Sequence, residues 1–165
     1  MKILIPVIML LFSQAVLAQE RIVEEYPDIF ARAAREHKSV FFIFSSDFCG
    51  WCRVFDNYHA SPEVKKIVNK DYLFQTIDIS DPESSERELW EHYSYEGVPA
   101  WMIFNSKKEL LSDGRLENGE QIGYPLEPAG MDMYIDVIRK TSRHINKKQL
   151  LVLREKIVYF DEVTE

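Results

Sequence analysis

Cysteine is nearly missing from this 165-residue sequence: it has two, Cys49 and Cys52. A pair so few and so close cannot form the multi-bridge framework that holds small secreted scaffolds together, and neither lies where a lipid-anchoring cysteine would be needed. A structural zinc takes four ligands. No second CxxC follows here, and the histidines His37, His59, His92 and His144 are scattered. Basic charge is also in short supply, with 20 Lys and Arg against 27 Asp and Glu and a net charge of −7. That balance argues against nucleic acid as a partner. No apolar run reaches the roughly 20 residues of a membrane span. Internal repeats and low-complexity tracts are absent, and with them repeat architectures.

What is present begins with Met1-Lys2, one positive charge, followed by the apolar stretch Ile3 to Ala18 that ends Val16-Leu17-Ala18. This is the layout of a secretory signal peptide cleaved after Ala18; an uncleaved anchor holding the same domain at the membrane is the alternative. Residues 19–165 suit one domain with one core. A composition of 46% hydrophobic and 13% aromatic residues can fill that core without staples, which leaves the two cysteines free for chemistry.

Periodicity orders the rest. Ile29, Phe30, Ala33 and Ala34 recur at helical spacing between Tyr26 and Lys38. Val40-Phe41-Phe42-Ile43-Phe44 reads as a strand buried on both faces. Cys49 then opens a helix that carries Val54, Phe55 and Tyr58 and is broken or kinked near Ser61-Pro62. A second strand is expected over Tyr72 to Ile79, a helix from Asp81-Pro82 to about Tyr95, a third strand over Ala100 to Phe104 and a fourth over Leu110 to Leu116. Gly119 to Gly130, with three glycines and two prolines, is expected to be loop. Met133, Tyr134, Val137 and Ile138 mark a core-facing helix, and Ile145 to Tyr159 a further one. The expected domain division is 1–18 leader, 19–144 main domain and 145–165 C-terminal helical extension.

Two cysteines three apart at a helix start share one helical face, close enough to bond or to act in turn on another protein's disulfide. The thiolate is the reactive form, and a helix N-terminus favours it. Cys49, nearer that end, is the better nucleophile, and Cys52 is placed to resolve a mixed disulfide by attacking the Cys49 sulfur. The plain alternative is a passive staple, but loop entropy gives a four-residue ring only about 2 kcal/mol. Half of a metal site is the other alternative. The Phe48 and Trp51 rings beside Cys49 would offer an apolar rim to a protein partner, or pack on the domain's own loops.

The strand Val40 to Ser45, Cys49-Gly50-Trp51-Cys52, and Gly97-Val98-Pro99 ahead of a strand together resemble the thioredoxin superfamily from about Tyr26 to Ser142. The resemblance implies an α/β, three-layer fold with a central mixed sheet of about four strands between helices, here with an extra C-terminal helix. It implies that Pro99 is cis beside the CxxC and that the backbone of Val98 pairs with a bound substrate strand. Gly123 falls where such proteins often have a glycine near the active surface. One departure stands out: many thioredoxins bury an aspartate six positions before the first cysteine, and this chain has Ile43. The implied activity is thiol:disulfide exchange on protein substrates in the periplasm. It would need no cofactor beyond the Cys49-Cys52 couple and no metal, would lean to reductase or isomerase-like use, and would be recharged by an inner-membrane thiol reductase. A dithiol oxidant, or a binding and assembly module without turnover, are the competing expectations.

Overall fold

A computed structural model of the chain describes residues 21–157; the expected leader and the acidic C-terminus lie outside them. The sheet is built on β1 (Ser39–Ser45), which is buried along its whole length. It pairs in parallel with β2 (Tyr72–Asp78) and antiparallel with β3 (Ala100–Phe104). The short β4 (Leu110–Ser112) adds to the far side of β3, giving the order β2-β1-β3-β4. The helices are α1 (Pro27–Glu36), α2 (Gly50–Ala60), α3 (Pro62–Val68), α4 (Ser85–His92), α5 (Pro128–Thr141) and α6 (Lys147–Glu155).

Strand side chains alternate in direction, so the central strands feed two cores. Phe41, Ile43, Trp101 and Ile103 enter one, shared with α2, α3, α5 and α6. Val40, Phe42, Phe44 and Met102 enter the other, shared with α1 and α4. The three-layer arrangement follows, and with it a continuous apolar β1.

Ser61, with φ −58° and ψ 137°, separates α2 from α3. The break comes before Pro62, whose ring disfavours a helical conformation in the residue ahead of it. Other boundaries differ from the expected ones: α4 spans Ser85–His92 rather than Asp81 to Tyr95, α6 spans Lys147–Glu155 rather than Ile145 to Tyr159, and two more shape the site. β4 stops at Ser112 because Gly114 turns at φ +72°, where a Cβ would lie 2.7 Å from the Trp101 carbonyl oxygen. The chain then carries Arg115 back to the α4–β3 connection, where its guanidinium donates to the Tyr93 and Ser94 carbonyls. At the other boundary, α5 starts at Pro128 rather than after Gly130. Proline suits a first helical position, and Gly130 lies in the first turn because a Cβ there would meet Ile122 Cγ2 at 3.2 Å. A residue that reads as loop chemistry is there for close packing.

The C-terminal helix is docked. Asn146 and Gln149 form a reciprocal cap at its start, and Leu150 and Leu153 enter the core that α2 shares. Each such side chain contributes roughly 1.5–3 kcal/mol on burial. The Tyr58 hydroxyl on α2 donates to the Leu153 carbonyl at 3.0 Å. Asp71, 4% exposed, accepts from the His144 backbone N–H at 2.9 Å and from its ring Nδ1 at 2.6 Å, which fixes the link between α5 and α6.

His59 on α2 sits among the rings of Phe41, Phe55 and Phe74. Its Nδ1 lies 3.0 Å from the Phe55 carbonyl, which can only accept, so Nδ1 carries the proton and Nε2 accepts from the Tyr134 hydroxyl at 2.9 Å. Burial pushes its pKa down to about 3, opposed by the bond to Phe55. The unfolded chain therefore takes up a proton near pH 6.5 that the folded chain refuses. Stability that is full above that pH is lost as the pH falls from about 6.5 toward 3, by about 3–5 kcal/mol in all. Urea unfolding between pH 7 and pH 4 should show a slope shallower by up to about 1.4 kcal/mol per pH unit in His59→Gln than in the parent chain.

Candidate active site

The strand β1 delivers the chain to Ser46-Asp47-Phe48, and the turn is tied to the end of β2. The Asp47 N–H donates to Ser80 Oγ at 2.9 Å, while Ser80 itself donates to Asp78 Oδ1 at 2.6 Å. The Cys49 N–H closes the turn on the Ser46 carbonyl at 3.0 Å. Cys49 is thereby the N-cap of α2, in extended conformation at φ −92°, ψ 109°. Its Sγ accepts the Cys52 backbone N–H at 3.0 Å.

Cys49 and Cys52 form a disulfide with their Cα atoms 5.2 Å apart. Their surroundings differ: Cys49 is partly exposed and Cys52 is 1% exposed. An incoming thiolate can therefore reach only the Cys49 sulfur without rearrangement. In the reduced state the Cys52 N–H and the positive end of α2 both favour a Cys49 thiolate.

Opposite this sulfur, at 3.4 Å, is the Val98 carbonyl oxygen. The disulfide sulfur has no proton to give it, so this is a contact in the oxidised state, and a thiol S–H could donate to it after reduction. The Val98–Pro99 peptide is cis. The loop holding it is clamped by Gln121, whose Oε1 accepts the Glu96 N–H at 2.9 Å and whose Nε2 donates to the Gly97 carbonyl at 2.9 Å. Gly123 lies against the same loop, where a Cβ would stand 2.8 Å from the Pro99 carbonyl oxygen. Gly123→Ala must shift one backbone against the other. A cost of about 1–3 kcal/mol is expected from overpacking, read as a lowered melting temperature together with slower exchange.

Trp51 and Val98 help to line an open groove of about 420 Å³ beside the disulfide. Trp51 stacks on Tyr124, with centroids 5.6 Å apart and planes 16° apart, so it meets its own domain on one face and remains 39% exposed. Phe48 does neither: it is 89% exposed and stands outside the groove walls.

Ile43 is 3% exposed and packs in the core that α2 covers, so an aliphatic side chain occupies the position of the family's buried carboxylate. Glu36 cannot substitute for it. It belongs to α1 on the other side of the sheet, where bonds from Arg32 and then Lys38 hold its pKa down at about 2. Asp56 is on the exposed side of α2, its pKa raised by partial desolvation. Among the described residues no group of three or more His, Cys, Asp or Glu gathers as a metal site would require.

A thioredoxin-like family profile matches residues 21–106, just over half of the chain. The chain belongs to the thioredoxin-like family. Over 81 residues, 48% of its length, it is 28% identical to the thiol:disulfide interchange protein DsbD of Photorhabdus laumondii. The chain spans only 14% of that much longer protein. Among solved structures, a disulphide isomerase from Xylella fastidiosa Temecula1 superposes with a TM-score of 0.50 at 20% identity, over 86% of this chain and 90% of that one. The C-terminal domain of Neisseria meningitidis DsbD is 21% identical over 79% of this chain and 96% of that one, with a TM-score of 0.43.

Within this thioredoxin-like chain, the cysteines, Val98, Pro99 and Trp51 meet at one end of the sheet. Three residues that hold the site together carry no signal in the sequence. Gln121 clamps the Val98–Pro99 loop, Ser80 fixes the turn before Cys49, and Tyr124 backs Trp51. Each acts across a chain crossing, so nothing local marks it. No helix among the described residues is long and apolar enough to cross a membrane.

Proposed function

We propose that this thioredoxin-like oxidoreductase reduces or rearranges disulfides of exported proteins in the periplasm. The reading rests on one observation above all: a partly exposed, helix-capping Cys49 sulfur bonded to a buried Cys52 at the edge of an open groove. In the reductive direction the Cys49 thiolate attacks a client sulfur. The Cys49–client bond forms, the client's own S–S bond breaks, and one client thiolate leaves. Cys52, losing its proton to solvent or to a departing thiolate, attacks the Cys49 sulfur and releases the second client thiol. The client gains two electrons and this chain ends as the disulfide, so each turnover needs a dithiol donor. The relative's name, a thiol:disulfide interchange protein, supports a donor of that class, and an inner-membrane thiol reductase is the partner we propose.

The apolar leader-like start of the sequence supports export. The aliphatic Ile43 supports a specialised exchanger rather than a general reductase, since the position from which a carboxylate would serve proton transfer at Cys52 is apolar. Equilibration of the couple with glutathione tests the direction. Values between about −180 and about −270 mV, the range of disulfide isomerase and thioredoxin, are expected. A value near about −120 mV overturns reductive use and makes the chain a dithiol oxidant.

A further inference from the structure

The groove beside the disulfide has a chemistry of its own, and it names a class of client. Its walls include the partly exposed Val98, Leu116, Ile122 and Leu126, apolar surface that an extended segment entering next to Cys49 would cover. Its rim carries two carboxylates, Glu120 and Glu127, both exposed. Neither is used up by the fold. Glu127 is the N-cap residue of α5, yet its side chain makes no capping bond. Among the described residues the Glu120 carboxylate accepts one hydrogen bond, from the Asn118 amide at 3.4 Å. Among the described residues no Lys or Arg pairs with either one, although many carboxylates elsewhere on the surface are paired. Among the described residues no cationic side chain lines the groove.

An apolar trough with two uncompensated carboxylates on its rim, on a chain of net charge −7, suits a segment that pairs an apolar side chain with a cation and repels an acidic one. We infer that Glu120 and Glu127 make this oxidoreductase select client segments whose reactive cysteine is flanked by an aliphatic residue and a Lys or Arg. This rests on the exchange reading above and specifies its substrate.

The test uses the reduced chain in single turnovers against two octapeptides, each carrying its cysteine as a mixed disulfide with glutathione. The peptides share a Leu next to the cysteine and differ only in having Lys or Glu two positions beyond it. The Lys peptide is expected to react about five- to ten-fold faster at low ionic strength, with the ratio shrinking as salt rises. In the near-isosteric Glu120→Gln/Glu127→Gln double variant, checked for folding by circular dichroism, the ratio is expected to fall to about one. Equal rates for the two peptides with the parent chain, or an unchanged ratio in the double variant, overturn the selectivity. Hydroxyethyl disulfide, a small uncharged substrate, separates the two levels: if the parent chain reduces it and both peptides alike, only the selectivity falls. If the chain reduces none of the three, the exchange reading falls too.

Discussion

Cys49→Ser should abolish disulfide exchange, with a rate loss of a thousand-fold or more, while Cys52→Ser should convert the chain into a trap that holds clients as mixed disulfides. The two outcomes differ because the roles proposed for the two sulfurs differ. Cys49 is the partly exposed N-cap of α2, with the Cys52 N–H on its sulfur at 3.0 Å. Without Cys49 the one remaining thiol, Cys52, is buried and cannot reach a client, so no accessible nucleophile is left. Cys52 is 1% exposed. Its loss leaves the first attack possible and removes the second, and the mixed disulfide then waits for an outside thiol. Non-reducing gels of extracts from cells expressing each variant, followed by the reducing dimension, check both. A chain acting only as a binding module would respond alike to the two substitutions, and Cys52→Ser without trapped clients would contradict the assignment of roles.

Phe41→Ala should remove about 3–5 kcal/mol of folding stability, a large share of the roughly 5–15 kcal/mol available to a domain of this kind. Phe41 is fully buried at the middle of β1. Its ring lies 5.1 Å from Phe74, 5.5 Å from His59 and 5.5 Å from Trp101. Truncation would open a cavity among rings contributed by β2, α2 and β3, and so few neighbours share one backbone that the walls cannot close together. Phe48→Ala is the control. At 89% exposure it should leave stability within about 0.5 kcal/mol. Denaturant midpoints with unchanged m-values would measure both, and a loss below about 1 kcal/mol for Phe41→Ala would mean that the core relaxes more than its packing implies.

Much of this protein was legible in the chain itself. The unbroken run Val40 to Phe44 could serve only a strand covered on both faces, and that one requirement implies helices on either side of the sheet. The order of elements, the place of Cys49 at a helix start and the break before Pro62 follow from local sterics and hydrogen bonding, which act between residues a few positions apart. Gly123 was harder to interpret, because a glycine in a loop-like stretch has many uses; its 2.8 Å approach to the Pro99 carbonyl exists only once two distant segments meet.

The early start of α5 had the same origin. Gly130 and Pro128 carry loop chemistry in isolation, and the contact with Ile122 makes them the first turn of a helix. The layers, the cysteine pair and the place of Cys49 nearer the helix end could be read from the chain, because these depend on periodicity and on the helix start. What surrounds that pair came from the fold alone: the Val98 carbonyl opposite the sulfur, the Gln121 clamp, the Trp51–Tyr124 stack and the acidic rim of the groove. Those contacts join residues far apart in the chain, and their geometry is set by how the sheet and helices pack rather than by any local preference.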